Sequence, residues 1–127
     1  MLQNDVGINL KDLKWGDLVW IDLPKGEKHE QYGRRPGIVV TSDVNNIYSP
    51  KIGIIPFTTQ DKHPLPIHQN FKKDEIDGLT EDCTLLVEQF RNISKSRIFS
   101  RCGSLNELQK NIIKRKWNMQ YPIGASA

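Results

Sequence analysis

The sequence predicts one mainly β domain, spanning residues 1–127, that ends in a single α-helix at residues 104–119. Two observations carry this prediction. Short runs rich in branched apolar and aromatic residues alternate with turn-forming segments, and one amphipathic helical pattern follows them. Because a chain of 127 residues has little room for a second core, we expect one domain. Short strands with one terminal helix are typical of a strongly curved sheet or half-open barrel.

Five or six segments have the composition of strands. Pro56 would remove a backbone donor from a central strand, so it indicates an edge, a bulge or a strand end. The predicted strands are residues 17–23, 37–41, 52–58, 65–68 (a short candidate), 84–90 and 97–100.

Polar and turn-forming residues occupy the segments between these strands. Asp77-Gly78 is a local turn signal. We also expect a loosely ordered arm or one short helical turn at residues 1–14, a polar surface loop at residues 27–35 and a turn at residues 42–50.

The C-terminal helix has a start signal and an apolar stripe. The sequence Ser104-Leu105-Asn106-Glu107 fits a capping box, in which the Ser hydroxyl and the Glu carboxylate satisfy backbone donors of the first turn. Apolar residues follow at near-helical spacing, and we expect their stripe to pack on the sheet. They are Leu105, Leu108, Ile112, Ile113 and Trp117.

Composition narrows the class of protein. No apolar run approaches the roughly 18 residues of a membrane span, and the first residues lack the pattern of a secretory signal. We therefore expect a cytoplasmic protein without membrane association, with Cys83 and Cys102 as thiols.

His63 and His68, with Asp61 nearby, offer no third and fourth ligand at zinc-site spacing. They are interpreted as loop histidines, and no metal or cofactor is expected.

The net charge of +3 is unevenly distributed. Residues 91–117 carry eight basic side chains against one acidic side chain, a net charge of +7, which leaves −4 for the rest of the chain. A basic C-terminal third suggests an anionic partner, nucleic acid being the obvious one. The alternative is a solvated helix face, which is the common behaviour of charge runs such as residues 110–116.

Three polar clusters stand at predicted strand ends. They are residues 29–36, residues 57–60 and residues 88–91. In the first, Pro36 biases Arg35 toward an extended backbone and so fixes the direction of its side chain. The residue types alone indicate an anion site on a small β domain, and surface ion pairs or ordinary turn residues are the commoner explanation.

Six segments in chain order resemble the MazF/PemK toxin family, from about Gly16 to the C-terminal helix. The resemblance rests on the following sequences: Gly16-Asp17-Leu18-Val19-Trp20, Glu30-Gln31-x-Gly33-x-Arg35-Pro36, Gly37-Ile38-Val39-Val40, Asn46-x-Tyr48-Ser49-Pro50, Ile55-Pro56-Phe57-Thr58-Thr59-Gln60 and Leu86-Val87-Glu88-Gln89-Phe90-Arg91-Asn92-Ile93.

The resemblance implies a fold and a reaction. The fold is a small SH3-like β-barrel of the CcdB/MazF/Kid type that forms a homodimer. The reaction is metal-independent, sequence-specific cleavage of single-stranded RNA, in which the ribose 2′-OH attacks the adjacent phosphate and leaves a 2′,3′-cyclic phosphate and a 5′-OH. The site must then supply a base, an acid and positive charge on the phosphorane.

The resemblance also assigns residues. Arg35 matches the family arginine before proline, whose fork can hold two phosphate oxygens, and Thr58 matches a threonine that binds the scissile phosphate. Glu30 matches a carboxylate that could act as base, His29 an active-site histidine of the Kid branch, and Glu88 the catalytic aspartate of that branch. The residues expected to contact RNA are Gln31, Arg34, Thr59, Gln60, Gln89 and Arg91.

One position departs from the Kid branch. That branch has a second catalytic arginine two residues before its aspartate, where this chain has Leu86. Arg34 either compensates for the missing arginine or binds a flanking phosphate. The identity of the general acid is therefore left open by the sequence.

The implied partners are single-stranded RNA and an antitoxin whose acidic, disordered tail enters the same groove and blocks Arg35. Contact with DNA is expected only indirectly, through a toxin–antitoxin complex.

Two alternatives use the same fold without catalysis: a CcdB-like inhibitor of a topoisomerase, and a protein-interaction module. A set made of Arg35, Thr58 and Glu30 argues against both, because a pure binder has no need of residues for phosphate cleavage.

Overall fold

The computed structural model describes residues 9–28, 30–61 and 63–123. Seven strands and two α-helices form within these residues. The strands are β1 Asp17–Leu23, β2 Gly33–Val39, β3 Lys51–Thr58, β4 Gln69–Phe71, β5 Cys83–Leu85, β6 Arg91–Ser94 and β7 Ile98–Ser104. The α-helices are α1 Asp43–Tyr48 and α2 Glu107–Gln120, and three short 3-10 helices are Leu10–Asp12, Val87–Gln89 and Lys95–Arg97.

The strands form one antiparallel sheet in the order β4-β5-β3-β2-β1-β7, with β6 also paired to β3. Over the residues that the structure describes this path is open, because β4 and β7 lie at its two ends. The mainly β architecture with a C-terminal helix is as predicted, with seven strands rather than five or six. β3 is its central strand, with β2 along one edge and both β5 and β6 along the other.

Pro56 lies inside this central strand. On one side it is opposite Gly37 of β2. On the other side β3 changes partner, from β6 along residues 51–54 to β5 at residues 57–58. The carbonyl of Pro56 accepts a hydrogen bond from the Leu86 N–H at 3.0 Å. A proline is tolerated here because its missing N–H would fall at the change of partner, where no ladder bond is made.

Two apolar clusters lie on opposite faces of the sheet, because successive side chains of a strand point to opposite sides. α2 covers the first cluster through Ile113, which is 1% exposed. Leu108, predicted to share the stripe of that helix, is instead 71% exposed. Neighbouring residues divide between the clusters: Leu18, Ile38 and Ile55 belong to the first, and Val19, Val39 and Ile54 to the second.

The start of α2 differs from the prediction. The capping box is made by Asn106 and Gln109, not by Ser104 and Glu107. The Asn106 Oδ1 accepts from the Gln109 N–H at 2.8 Å, and the Gln109 Oε1 accepts from the Asn106 N–H at 2.9 Å. Ser104 cannot begin the helix because it still belongs to β7, opposite Asp17.

Two segments predicted as loop or turn are regular. β2 begins at Gly33 rather than at residue 37, because residues 33–35 pair through their backbone with residues 21–23 of β1. The predicted turn at residues 42–50 contains α1, whose first turn is capped by Ser42. The Ser42 Oγ accepts a hydrogen bond from the Asn45 N–H at 3.1 Å.

Later strand predictions were less accurate. Residues 65–68 form a turn, and the strand after them begins at Gln69. The predicted strand at residues 84–90 ends at Leu85, and β6 was not predicted. The strand predicted at residues 97–100 extends from Ile98 to Ser104. The turn at Asp77-Gly78 is confirmed, with Gly78 at a φ of +97°, where glycine carries no steric cost.

The N-terminal arm is tied to the sheet at its end. Asn9 caps the first 3-10 helix by accepting a hydrogen bond from the Lys11 N–H at 2.9 Å. Leu13 is 1% exposed and packs in the second apolar cluster. Of the two alternatives expected for residues 1–14, a loosely ordered arm or one short helical turn, a helical turn is present at Leu10–Asp12. Residues 1–8 lie outside the described residues.

Two further expectations concern thiols and membrane spans. Cys83 and Cys102 are present as thiols, as predicted. Burial, reinforced by the charges of Asp82 and Glu81, raises the pKa of the Cys83 thiol to about 12.

Within residues 9–28, 30–61 and 63–123, neither α-helix has the length and apolar character needed to cross a membrane.

Candidate active site

Arg35 lies in β2, opposite Ile21 of β1, and its side chain is held by backbone carbonyls. Its Nε and one terminal nitrogen donate to the Tyr32 carbonyl at 3.1 and 2.8 Å. The other terminal nitrogen donates to the Phe57 carbonyl at 3.0 Å. Burial lowers the pKa of this guanidinium, and the Tyr32 hydroxyl acts in the opposite direction. Since three of five N–H donors hold the group in place, two remain to meet an anion.

Thr58 ends β3 one residue after the carbonyl that Arg35 contacts. Its hydroxyl accepts a hydrogen bond from the Gln60 N–H at 3.2 Å, which fixes the turn that follows. Thr58 and Arg35 both line a cleft of about 190 Å³. The structure therefore brings together the two residues assigned to the scissile phosphate. The other lining residues of this cleft are Trp20, Arg34, Pro36, Phe57, Thr59, Glu81 and Cys83.

A second cleft, of about 390 Å³, adjoins the first because Thr58 lines both. Glu88, from the 3-10 helix after β5, lies in this second cleft. Leu86, at the position where the Kid branch has an arginine, lines it as well. The remaining lining residues are Gln31, Gln60, Asp61, His63, Leu65, His68 and Gln89.

The side chain of His68 is held between two carboxylates in this second cleft. Its Nδ1 lies 2.7 Å from Asp61 Oδ2, and its Nε2 lies 2.8 Å from Glu88 Oε1. The imidazole is only 6% exposed, so His68 is not the ordinary loop histidine that the sequence suggested. Glu88 therefore contacts the imidazole of His68, which lies 20 residues before it in the sequence. The nearby Asp61 was the only feature of the sequence that pointed to a role for His68.

The surroundings of His68 favour its charged form. Burial lowers the pKa of the imidazole, but the hydrogen bonds and charges of Glu88 and Asp61 outweigh burial, and the pKa is raised above its ordinary value of 6.5. Both ring nitrogens face carboxylate oxygens, and the Leu65 N–H also lies 3.2 Å from Nδ1. Only the protonated imidazolium can donate to both carboxylates. This stabilisation of the fold is complete below pH 6.5 and is lost as the pH rises through the raised pKa.

Comparison with known proteins decides the family. A family model described as the PemK-like, MazF-like toxin of type II toxin–antitoxin systems matches residues 14–118. The chain belongs to this family. It is 32% identical over 96 residues to endoribonuclease EndoA of Bacillus subtilis, covering 75% of this chain and 82% of that protein. It is 29% identical over 96 residues to endoribonuclease MazF of Staphylococcus saprophyticus, covering 75% and 79%.

Solved structures show the same fold. MazF from Deinococcus radiodurans, at 21% identity, superposes with a TM-score of 0.73 over 87% of this chain and 96% of that chain. A mycobacterial endoribonuclease in complex with its cognate antitoxin, at 17% identity, superposes with a TM-score of 0.68 over 94% and 99%. The predicted fold class, a small mainly β domain of the MazF type with a C-terminal helix, is therefore confirmed.

The loop before β2 holds the other candidates suggested by the PemK/MazF resemblance. The Glu30 carboxylate turns back within this loop and accepts a hydrogen bond from the Glu27 N–H at 2.6 Å. The lining of the two clefts, within the described residues, does not include Glu30. Gln31 lines the second cleft, and His29 lies outside the described residues. The roles predicted for Glu30 and His29 stay predictions.

The residues expected to contact RNA divide between the two clefts. Arg34 lines the first cleft, and its guanidinium lies over the Phe99 ring at 4.7 Å from the ring centre. Thr59 also lines the first cleft, whereas Gln60 and Gln89 line the second. These four side chains line the two clefts that meet at Thr58, and their contact with RNA stays a prediction.

Arg91 is placed differently. Its guanidinium donates to the Gln31 carbonyl at 2.9 Å and to the Pro24 carbonyl at 3.3 Å. The Gln31 N–H in turn donates to the Gln89 Oε1 at 3.2 Å. Arg91 thus fastens both ends of the loop between β1 and β2, which carries Glu30 and leads into Arg35. In the structure the Arg91 side chain holds this loop in place. The contact of Arg91 with RNA stays a prediction.

We expect Arg91→Ala to loosen this loop more than it lowers global stability. The Pro24 and Gln31 carbonyls are partly accessible, so water can replace the lost donor, and the free energy of unfolding should fall by about 1 kcal/mol. Limited digestion with trypsin should cut after Lys25 several-fold faster than in the wild type. Arg101→Ala is the matched control, since Arg101 is exposed and contacts Asp12 and Asp17 rather than the loop.

The same variant separates the structural role of Arg91 from RNA contact. Affinity for an uncleavable RNA, with deoxyribose at the cut site, would be measured across a salt series. Each lost phosphate contact should reduce the slope of log K against log salt by about 0.7 for a single strand. An unchanged slope together with faster digestion would contradict the predicted RNA contact and leave only the loop role.

No metal centre is evident in the described part of the chain. Over residues 9–28, 30–61 and 63–123, no group of three or more His, Cys, Asp or Glu side chains is arranged to hold a metal ion. His63 is exposed and Asp61 is engaged with His68.

Proposed function

We propose that this chain is the toxin endoribonuclease of a type II toxin–antitoxin system and that it cleaves single-stranded RNA at a specific short sequence. The observation that carries the proposal is the Arg35 guanidinium, fixed by the Tyr32 and Phe57 carbonyls beside Thr58 at the point where two clefts meet. The family and the relatives named as endoribonucleases MazF and EndoA support it.

The nucleophile in this proposal is the ribose 2′-OH of the RNA. Its oxygen attacks the adjacent phosphorus, the bond to the 5′-oxygen breaks, and the products are a 2′,3′-cyclic phosphate and a 5′-OH. A protein nucleophile is not needed, and the Cys83 thiol beside Arg35 is unsuited to that task because its pKa of about 12 keeps it protonated.

Arg35 would stabilise the negative charge that develops on the phosphorane. A guanidinium presents parallel N–H donors that match two phosphate oxygens, and a donor already fixed before the reaction costs no reorganisation. The Thr58 hydroxyl, which here donates to the Gln60 carbonyl at 3.3 Å, would donate to the same phosphate instead. Glu88, in the adjoining cleft, would serve in proton transfer, and Glu30 and His29 would serve on the loop before β2.

Sequence preference would come from side chains around the clefts. Amide groups can both donate to and accept from the exposed edges of unpaired bases, as recognition of single-stranded RNA requires. The amides that line the second cleft are Gln31, Gln60 and Gln89. Arg34 and Thr59 lie at the first cleft, where a flanking phosphate would pass.

The proposed assembly is a homodimer restrained by a small antitoxin. Structural neighbours include MazE–MazF from Deinococcus radiodurans and a mycobacterial endoribonuclease with its cognate antitoxin. An acidic antitoxin segment laid across Arg35 would block the phosphate position and inhibit cleavage. Contact with DNA would arise only through such a toxin–antitoxin complex.

One assay tests the proposal. The purified chain is incubated with a long RNA in EDTA, and new 5′-OH ends are mapped along the sequence. We expect cuts at one repeated short motif and no dependence on added divalent metal. Activity that disappears with the chelator would contradict the metal-independent mechanism. If expression is toxic but no RNA is cut, a CcdB-like inhibitor is favoured instead, and neither effect would indicate an interaction module.

A further inference from the structure

His68 lies between the Asp61 and Glu88 carboxylates, and we call these three residues the His68 clamp. The proposed chemistry assigns a role to Glu88 but none to His68 or Asp61. His68 lies in the turn just before β4, Asp61 in the segment after β3 and Glu88 in the 3-10 helix after β5. Carboxylates from two other segments therefore converge on one imidazole, with donor–acceptor distances of 2.7 and 2.8 Å. A solvated loop histidine would not be held from both sides in this way.

The three side chains of the clamp differ in how much of their surface is exposed to solvent. The His68 side chain is 6% exposed and that of Asp61 is 13% exposed, whereas the Glu88 side chain is 24% exposed. Within the clamp, Glu88 is thus the member open to a substrate. Both Glu88 oxygens lie within reach of His68 Nε2, at 2.8 and 3.0 Å, so the imidazole fixes the orientation of that carboxylate.

We infer that His68 is a positioning residue for RNA cleavage: its imidazolium, held by Asp61, orients the Glu88 carboxylate in the cleft beside Thr58. This inference rests on the proposed endoribonuclease function. The imidazolium also reduces the charge of the clamp from −2 to −1, which lowers the repulsion of an approaching phosphodiester. Glu88 remains the group that meets the substrate, and His68 acts through it.

Other titratable groups lie on the elements packed around the clamp. α2 reaches the same turn, because Lys116 Nζ donates to the Pro66 carbonyl at 2.7 Å. The Tyr121 hydroxyl, at the end of α2, donates to the Val87 carbonyl at 3.4 Å. The titratable groups on the elements next to the clamp are Asp61, His63, Glu88, Lys116 and Tyr121.

A specific pH dependence follows. Neutral imidazole has one N–H, so loss of the proton leaves either Glu88 or Asp61 without its donor and returns the clamp to a charge of −2. The hydrogen bonds and charges of the two carboxylates outweigh burial and raise the pKa of His68, so this change falls on the alkaline side of 6.5. We expect kcat to decline as the pH rises through that raised pKa.

His68→Gln tests the inference, because glutamine can still donate to a carboxylate but does not titrate. At neutral pH we expect kcat on a short RNA to fall by up to about 100-fold, the scale for a reacting group misplaced by about 1 Å. The alkaline decline due to His68 should be absent from the variant. His63→Gln is the matched control: this histidine lines the same cleft outside the clamp, and its removal should leave the alkaline decline in place.

A second variant and a measurement without RNA keep the test independent of folding and turnover. Asp61→Asn should shift the alkaline decline to lower pH, because it removes one anion that stabilises the imidazolium. Nitrogen NMR of the full chain should show that more than half of the His68 rings carry a proton on both nitrogens at pH 6.5, the ordinary imidazole pKa. A single protonated nitrogen at that pH, or an unchanged alkaline decline in His68→Gln, would overturn the inference. A wild-type chain that cuts no RNA would instead overturn the proposed function.

Discussion

Replacing Arg35 by alanine should reduce kcat/KM for RNA cleavage by about 1,000-fold or more. Removal of one preorganised donor from a developing oxyanion typically costs about 100- to 1,000-fold, and here a whole charge is lost with it. The effect should lie mainly in kcat, because the guanidinium meets most charge in the transition state. Turnover would be measured on a short RNA that contains one mapped cut site.

Arg35→Lys separates the charge from the shape of the group. A lysine keeps the positive charge but cannot hold the Tyr32 and Phe57 carbonyls while presenting a fork to phosphate. We expect it to retain little activity. Arg101→Ala, which removes the same charge from an exposed position on β7, should leave turnover close to the wild type. Wild-type turnover by a folded Arg35→Ala protein would show that the assignment is wrong.

The position of Arg35 illustrates what the sequence could and could not predict. Pro36 and the family resemblance identified the side chain and its extended backbone. They did not reveal that β2 begins at Gly33, because polar residues 33–35 carry no strand signal of their own. Their strand conformation comes from pairing with residues 21–23 of β1, which is a tertiary effect that a local pattern does not contain.

The first strand shows the opposite case. β1 was predicted with its observed bounds, because its apolar residues are buried on both faces and its ends are marked by Gly16 and Pro24.

The capping box of α2 shows an intermediate case. Both Ser104–Glu107 and Asn106–Gln109 fit the capping pattern, and the choice between them depends on where β7 ends, which the helix sequence does not specify.

His68 was missed for a physical reason. Its interaction with Glu88 joins positions 20 residues apart, and no periodicity or spacing rule predicts such a contact. None of the six segments that resemble the family covers residues 61–82, so the resemblance gave no help there. The structure supplies the missing information by bringing the segment after β3 and the 3-10 helix after β5 to the same cleft.

The buried amide of Asn46 is the second position where we expect a large effect, in this case on stability. Asn46 is 0% exposed in the short helix α1. Its Nδ2 donates to the Leu13 carbonyl at 3.2 Å and to the Thr41 carbonyl at 3.1 Å. Its Oδ1 accepts from the Thr41 hydroxyl at 2.7 Å and from the Asn45 amide at 3.3 Å. One side chain therefore joins α1 to the segment before β1 and to the segment after β2.

Asn46→Leu should lower the free energy of unfolding by about 2–4 kcal/mol, measured by urea denaturation. Leucine fills a similar volume, but it leaves the buried Leu13 carbonyl and the half-buried Thr41 carbonyl without this donor, and each unsatisfied group costs about 1–3 kcal/mol. Asn46→Ala should cost at least as much, because it adds a cavity to the same loss.

Val44→Ala provides the control in the same helix. Val44 is 67% exposed, so we expect its replacement to change stability by less than about 0.5 kcal/mol. A folded Asn46→Leu protein as stable as the wild type would show that packing volume, rather than the four hydrogen bonds, fixes α1. Retained stability in Asn46→Leu with a loss in Asn46→Ala would point to the same conclusion, since only the alanine variant opens a cavity.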